Sequence, residues 1–320
     1  RAGGRRAGAR RSAPLTADFV DPVSGLTSPL VFALSGCAHL VAPIAERCGG
    51  DPGAFEYRHF PDGESYLRCT SDVRGRRVVL AASLDRPDER LVPALLAAAT
   101  LRDLGATSVG LVAPYLPYMR QDQRFRDGEA VSSRYVGRLI ERDFDWLVTV
   151  DPHLHRVGTL GEIFEIPTRA VSSAPCVAEW VAAHVDAPLL VGPDEESGQW
   201  VRAVAERLDA PFVVMEKERH GDRDVEVHAP DALRGNGHQA VVLDDIVSSG
   251  ATVVEAIHQL ARGGIADPAC VCIHALFGDG AMELLAEATS GPVVSCDTVA
   301  HSSNAIPVAP VIAAAVAELV

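Results

Sequence analysis

Two adjacent acids followed by a run of small residues form the segment with the clearest chemical potential. Asp244 and Asp245 come directly after the apolar run 240–243, and residues 248–252 read Ser-Ser-Gly-Ala-Thr. A short, uninterrupted apolar run is typical of a strand buried on both faces. The apolar spacing over residues 254–261 predicts a helix. The acids and the small residues therefore lie in a turn between a strand and a helix.

This arrangement suits a sugar phosphate. Small side chains let backbone N–H groups approach an anion, and the following helix adds its positive N-terminal end. Carboxylates bind phosphate poorly but accept hydrogen bonds well from vicinal hydroxyl groups. We therefore expect the two acids to bind a sugar, and its phosphate to be bound by Ser248, Ser249, Gly250, Ala251 and Thr252. The competing interpretation, a solvated acidic turn before an ordinary helix, does not explain the ordered succession of these elements.

Composition narrows the class of protein. The chain has 320 residues, of which 48% are hydrophobic, enough for a large core in one or two domains. The net charge of −14 argues against a nucleic-acid partner. No apolar run is long enough to span a membrane, so we expect no membrane association. The seven cysteines are scattered without a CxxC pair, which predicts reduced thiols in a cytoplasmic protein.

Strand-like and helical patterns alternate from residue 30 onward. This alternation predicts an α/β fold with mostly parallel sheets flanked by helices. The pattern restarts after Pro167, which suggests two units. The predicted division is a disordered basic extension at 1–28, a first unit at 29–166, a second at 167–301, and a C-terminal segment at 302–320 that returns to the first unit.

Two further segments follow predicted strands and carry residues suited to phosphates and metals. Arg120 and Gln121 follow the strand at 108–113, at the strand end where open α/β sheets bind ligands. Arginine binds phosphate through its bidentate fork. His153 also follows a strand, where it is either a metal ligand or a structural histidine. A solvated basic loop remains an equal alternative for the first segment.

Carboxylates and cations in the second half extend this list. Asp194, with Glu195 and Glu196, precedes a helix, and clustered carboxylates suit Mg²⁺. The alternative is a group of acids that stabilise the helix N-terminus. Lys217 and Arg219 alternate, so in an extended chain both point the same way and could neutralise a transferring phosphoryl group. Their alternative is a solvated charged edge.

The order and spacing of six segments resemble the ribose-phosphate diphosphokinase family, within the type I phosphoribosyltransferase superfamily. The segments are Phe-Pro-Asp-Gly-Glu at 60–64, Arg-Gln-Asp at 120–122, Asp-Pro-His at 151–153, Gly-Pro-Asp at 192–194, Glu-Lys-Glu-Arg at 216–219 and the Asp-Asp loop at 244–252. The details are closer to the archaeal-type branch. The resemblance implies two tandem phosphoribosyltransferase-like domains and transfer of the β,γ-diphosphoryl group of ATP to the C1 hydroxyl of ribose 5-phosphate.

The resemblance also implies a role for each candidate residue. ATP would be bound by Phe60, Asp62 and Glu64 from a neighbouring subunit and by Arg120 and Gln121, and Mg²⁺ by His153 and Asp194. Lys217 and Arg219 would be catalytic, Asp244 and Asp245 would bind the ribose hydroxyls, and residues 248–252 would bind the 5-phosphate. A site shared between subunits implies a homodimer or a hexamer.

Two other functions remain open. A non-catalytic regulatory paralogue would explain Glu195 and Glu196, which stand beside the expected diphosphate and would repel it. A phosphoribosyltransferase would explain the loop at 241–252. It would not explain the Arg-Gln, Asp-Pro-His and Lys-Glu-Arg segments or a second α/β unit.

Overall fold

A computed structural model describes residues 28–34, 36–154, 157–219, 225–228 and 237–320. The side chains of residues 216–219 and 225–228 lie outside this description. Residues 1–27, which make up almost all of the predicted basic extension, also lie outside this description.

The first sheet contains six parallel strands in the order β2-β1-β5-β6-β7-β8. The elements of this half are β1 (Leu30–Ala33), α1 (Val41–Cys48), β2 (Asp51–Pro52), β3 (Phe55–His59), β4 (Ser65–Cys69), β5 (Arg77–Ala81), α2 (Pro87–Asp103), β6 (Ser108–Val112), α3 (Ser132–Asp143), β7 (Trp146–Val150) and β8 (Thr168–Val171). Every residue of β7 is buried, as expected of a parallel strand covered on both faces.

The second sheet also contains six parallel strands, in the order β10-β9-β13-β14-β15-β16. Its half comprises α4 (Ala174–His184), β9 (Pro188–Gly192), α5 (Gly198–Leu208), β10 (Phe212–Val214), β11 (Glu216–Arg219), β12 (Val225–His228), β13 (Gln239–Ile246), α6 (Ala251–Arg262), β14 (Ala269–His274), α7 (Ala281–Ala288), β15 (Val293–Cys296), β16 (Asn304–Ile306) and α8 (Ala309–Ala317). The predicted α/β class, with two mostly parallel sheets flanked by helices, is confirmed.

The first sheet extends beyond the predicted unit boundary at residue 166. β8 pairs with β7, and the main chain of Leu147 donates to Pro167 O, so Val171 is the last residue of this sheet. The sequence did not indicate this strand because β8 is a largely exposed edge strand without an apolar run. α7 was likewise absent from the predicted elements.

One apolar core joins the two sheets. Val148 and Val150 of β7 belong to the same buried cluster as Val241 and Leu243 of β13. This shared core fixes the strand ends of one sheet relative to those of the other. In the C-terminal segment, β16 belongs to the second sheet, whereas α8 contacts α1, β7 and β8 of the first half.

An antiparallel hairpin projects from the first half. β3 and β4 pair from Phe55 with Cys69 to His59 with Ser65. At the tip, Phe60 N donates to Glu64 O over 2.7 Å, and Gly63 has a φ of +94° that favours glycine.

Among the described residues, no helix is long and apolar enough to cross a membrane.

Candidate active site

A cavity of about 400 Å³ lies at the carboxyl ends of strands from both sheets. Its lining consists of Arg120, Phe125, His153, Asp194, Glu196, Asp244, Asp245, Ile246 and Thr252. β7 leads to His153, β9 to Asp194, and β13 contains the two acids. Six residues that the sequence analysis assigned to phosphate, sugar or metal binding therefore surround one space, as expected for the strand ends of an α/β fold.

The two acids lie within β13 and not in the turn after it. Asp244 pairs in register with Cys272, and Ile246 pairs with His274. Asp245 points to the opposite face and is only 3% exposed. The apolar run had predicted that the strand ends at residue 243, but backbone pairing with β14 continues through the acids.

The turn after β13 holds its shape through backbone contacts. Gly250 has a φ of +78° and immediately precedes α6, so a residue with a side chain would be strained there. Ser248 O accepts from Gly278 N at 2.9 Å. Thr252, in the first turn of α6, lines the cavity. Of the five small residues 248–252, Thr252 is the one that lines the cavity, so the N-terminal end of α6 borders the cavity and phosphate binding by the loop stays a prediction.

His153 connects the two sheets across the cavity. Its Nδ1 lies 2.5 Å from Asp245 Oδ2, and its ring stacks on Trp200 with an interplanar angle of 16°. A carboxylate only accepts, so Nδ1 donates to Asp245. A carboxylate that holds one ring nitrogen in this way fixes the orientation of histidine ligands in metal sites.

Carboxylates crowd one side of the cavity. Burial, followed by the nearby charges of Asp245 and Asp194, raises the pKa of the Asp244 carboxyl from its ordinary 3.8 to about 8, and Glu196 adds to the effect. The cavity thus holds more negative charge than it can keep ionised at neutral pH in the absence of a cation.

This raised pKa predicts a pH-dependent difference in stability for Asp244→Asn. An acid whose folded pKa exceeds its unfolded value binds more protons when folded, so its contribution to stability falls between about pH 4 and pH 8. We expect the variant to melt several degrees above the wild type at pH 8 without added divalent cations. The difference should shrink as the pH falls towards 4, which differential scanning calorimetry measures. An equal difference at both pH values would contradict the raised pKa.

Asp194 begins the turn that leads into α5. Its Oδ1 accepts from Ser197 N at 3.3 Å, and Ser197 Oγ donates to Asp194 O at 2.5 Å. A Cβ on Gly192 would lie 2.5 Å from Ser197 Oγ, so this turn requires glycine at that position. Of the two extra acids, Glu196 lines the cavity, whereas Glu195 is exposed and lies outside its lining.

Arg120 and Gln121 are adjacent in sequence, but their side chains have different surroundings. Arg120 lines the cavity, but the side chain of Gln121 accepts from Ser132 Oγ at 2.5 Å at the start of α3. The sequence analysis missed Phe125, which lines the cavity and is 56% exposed. Its position four residues after Gln121, in the same loop, was the available signal. Glu129 shapes this loop because its Oε2 accepts from Phe125 N at 2.8 Å.

The remaining candidates lie elsewhere. None of Phe60, Asp62 and Glu64 is among the described residues that line the cavity; Glu64 instead lines a pocket between the hairpin and α2. Lys217 and Arg219 lie on β11, which pairs with β12, and their side chains are outside the described part of the chain. The structure therefore leaves the predicted roles of these five residues untested.

Comparisons with known proteins agree with this architecture. Residues 30–143 match the model for the N-terminal domain of ribose phosphate pyrophosphokinase, and residues 174–310 match the phosphoribosyl transferase domain. A ribose-phosphate pyrophosphokinase of Methanopyrus kandleri is 34% identical over 292 residues, which cover 91% of this chain and 99% of the relative. The corresponding protein of Methanothermobacter thermautotrophicus is also 34% identical, over 285 residues, with coverage of 89% and 98%.

A solved structure supports the same fold. The crystal structure of phosphoribosylpyrophosphate synthetase from Mycobacterium smegmatis superimposes with a TM-score of 0.78 and 23% identity, and the match covers 91% of this chain and 98% of that one. At this level of identity the match supports the fold alone.

Proposed function

Because the chain belongs to the ribose-phosphate pyrophosphokinase family, we propose that the cavity between its two sheets is where ATP and ribose 5-phosphate react. Members of this family transfer the diphosphoryl group of ATP to ribose 5-phosphate, and that is the activity of this chain. The main support for this location is the contact between His153 and Asp245, in a cavity that is also lined by Arg120 and Asp194.

We assign the ribose 5-phosphate end to β13 and α6. Asp244 reaches the cavity and can accept hydrogen bonds from the ribose hydroxyls. The backbone amides at the start of α6, with Thr252, suit the 5-phosphate. Asp245 is nearly buried and engaged with His153, so we assign it mainly to the support of that imidazole.

We assign the polyphosphate end to Arg120 and to the segment on β11. Arg120 offers a bidentate donor to phosphate oxygens. Lys217 and Arg219 occupy alternate positions of β11, which suits them to neutralise the charge of the transferring group. The ribose C1 oxygen forms a bond to the β-phosphorus as the bond from that phosphorus to the α,β-bridging oxygen breaks, and AMP leaves with the electron pair. The C1 hydroxyl proton passes to solvent.

The donor set fits Mg²⁺. Asp194, Asp244 and Asp245 supply oxygen, which hard cations prefer. Among the described residues, no cluster of three or more side chains is preassembled to hold an ion. This agrees with Mg²⁺, which commonly takes one or two protein ligands and completes its shell with water and substrate phosphates. His153 and Asp194 would hold the ion. When bound, it would neutralise phosphate charge and align the diphosphoryl group.

The position of the hairpin supports an oligomeric enzyme. Phe60, Asp62 and Glu64 lie away from the cavity of their own chain, and Phe60 is 40% exposed at the tip. We propose that they contact ATP bound by a neighbouring subunit of a homodimer or hexamer.

The seven cysteines are all free, which supports a reducing, cytoplasmic environment.

The test follows AMP formation from ATP and ribose 5-phosphate with Mg²⁺. We expect AMP only when ribose 5-phosphate is present, and ³¹P NMR should show a diphosphate on the sugar. Asp244→Ala should lower kcat/KM for ribose 5-phosphate by about 10- to 100-fold, because the ribose hydroxyls lose their hydrogen-bond acceptor. Glu195→Gln, outside the cavity lining, is the matched control and should stay within about threefold.

Two results would point to the other functions. If the folded protein binds ATP but makes no AMP, it is a regulatory paralogue in which Glu196 keeps diphosphate out of the cavity. If it instead releases free diphosphate from phosphoribosyl diphosphate and a nucleobase, it is a transferase.

A further inference from the structure

The turn after β7 carries an aspartate whose side chain is hydrogen-bonded to the second half of the chain. Asp151 has a φ of +34°, in the left-handed region that aspartate tolerates better than most residues. Its Oδ2 accepts from Ser173 N at 2.7 Å and from Ser173 Oγ at 2.5 Å. Ser173 directly precedes α4, so this carboxylate ties the turn to the start of a helix in the second half.

The carbonyl of the same residue is held by the second sheet. His274 Nε2 lies 3.2 Å from Asp151 O, and His274 Nδ1 lies 2.9 Å from Thr298 Oγ1. Burial lowers the pKa of His274 to about 4, so the ring is neutral at pH 7 and lies between the Asp151 carbonyl and Thr298 as an uncharged group. This contact holds the turn against β14 of the second sheet.

These contacts converge on the histidine of the proposed site. His153 follows Asp151 by two residues and meets Asp245 of β13. Ile246, next to Asp245, pairs in register with His274 of the neighbouring strand. The turn is thus attached to adjacent strands of the second sheet at two points, the Asp151 carbonyl and the His153 imidazole, and to α4 at a third.

We propose that Asp151 is a positioning residue that holds the 151–153 turn so that His153 presents Nε2 to the cavity and Nδ1 to Asp245. The proposal rests on the proposed function of His153 as a metal ligand. Asp151 is not among the residues that line the cavity, and the oxygen described above is bonded to Ser173. Its effect on the ion is therefore indirect.

The first readout is the cation requirement. Asp151→Ala removes the acceptor and places alanine in a left-handed conformation, so we expect the Mn²⁺ concentration for half-maximal AMP formation to rise by about tenfold or more, the range for residues that support metal ligands. Asp151→Asn keeps one acceptor oxygen and tolerates the backbone angle. It should restore the requirement to within about threefold of the wild type.

The second readout does not depend on activity. In ¹⁵N-histidine NMR, with His153 assigned through His153→Gln, the wild-type Nδ1 should carry a directly bonded proton. In Asp151→Ala the two nitrogens should move towards averaged shifts, because Asp245 no longer faces Nδ1 at a fixed distance. If the wild type makes no AMP, the proposed function fails, and this spectrum alone decides whether Asp151 positions the ring.

Controls separate positioning from loss of stability. Ile140→Ala, on the buried face of α3, should lower Tm without moving the Mn²⁺ requirement or the His153 signals. If Asp151→Ala behaves in the same way, Asp151 is only structural and the proposal is overturned. If Asp151→Ala does not fold, Ser173→Ala replaces it. An unchanged Mn²⁺ requirement and an unchanged His153 spectrum in Ser173→Ala would also overturn the proposal.

Discussion

Lys217→Ala should lower kcat for AMP formation by roughly 10³-fold, because the variant loses a cation that neutralises charge developing in the transition state. Lys217 lies in the middle of β11, opposite Val227 of β12. The effect should fall on kcat, since charge neutralisation acts on the transferring group and much less on bound ATP. Steady-state kinetics at saturating Mg²⁺ measures both parameters.

The matched control for Lys217 is its neighbour. Glu218 is the next residue of β11 and is not among the predicted catalytic residues, so Glu218→Gln should change kcat by no more than about threefold. A Lys217→Ala variant that keeps a tenth or more of the wild-type kcat would exclude a catalytic role. Losses of similar size in both variants would show that the paired strands β11 and β12 matter as a folded unit and not through one cation.

Asp245→Asn should raise the Mg²⁺ concentration needed for half-maximal activity by about 10- to 100-fold, the usual cost of losing the carboxylate that supports a metal-binding histidine. The substitution preserves shape but removes the charge 2.5 Å from His153 Nδ1. The imidazole then becomes a weaker ligand. Titration of activity with Mg²⁺ at saturating substrates measures the shift.

The neighbouring acid supplies the contrast. Asp244→Asn should raise KM for ribose 5-phosphate and move the Mg²⁺ requirement less, because Asp244 faces the cavity and Asp245 faces His153. Equal effects of the two substitutions on both parameters would contradict this division of roles. Asp245→Asn with an unchanged Mg²⁺ requirement would show that His153 does not bind the ion.

The parts of the fold that the sequence predicted well are those with strong periodicity. The buried run before Asp244 and the amphipathic helix after Gly250 both appear in the structure, although the strand continues to Ile246. Apolar alternation detects burial but not backbone pairing, so a polar strand end such as Asp244–Asp245 is missed. The exposed edge strand β8 was missed for the same reason.

The sequence could predict which residues lie near the proposed site, but it could not predict the contacts between them. Turns at strand ends pointed to His153, Asp194 and Asp244, because parallel strands bring their carboxyl ends to one edge. The meeting of His153 with Asp245 depends on how two sheets pack across a shared core, and no local pattern encodes that distance. The rotation of the Gln121 side chain towards Ser132 is likewise a tertiary effect.

The position of α8 has a consequence for folding during synthesis. Ile312 and Val316 of this last helix are fully buried in the same cluster as Ile44 of α1, near the other end of the described chain. During synthesis, α1 leaves the ribosome long before α8 is made, so its apolar face stays uncovered until α8 emerges. The first half therefore completes its packing only after the second sheet has been synthesised, although its own sheet is made first.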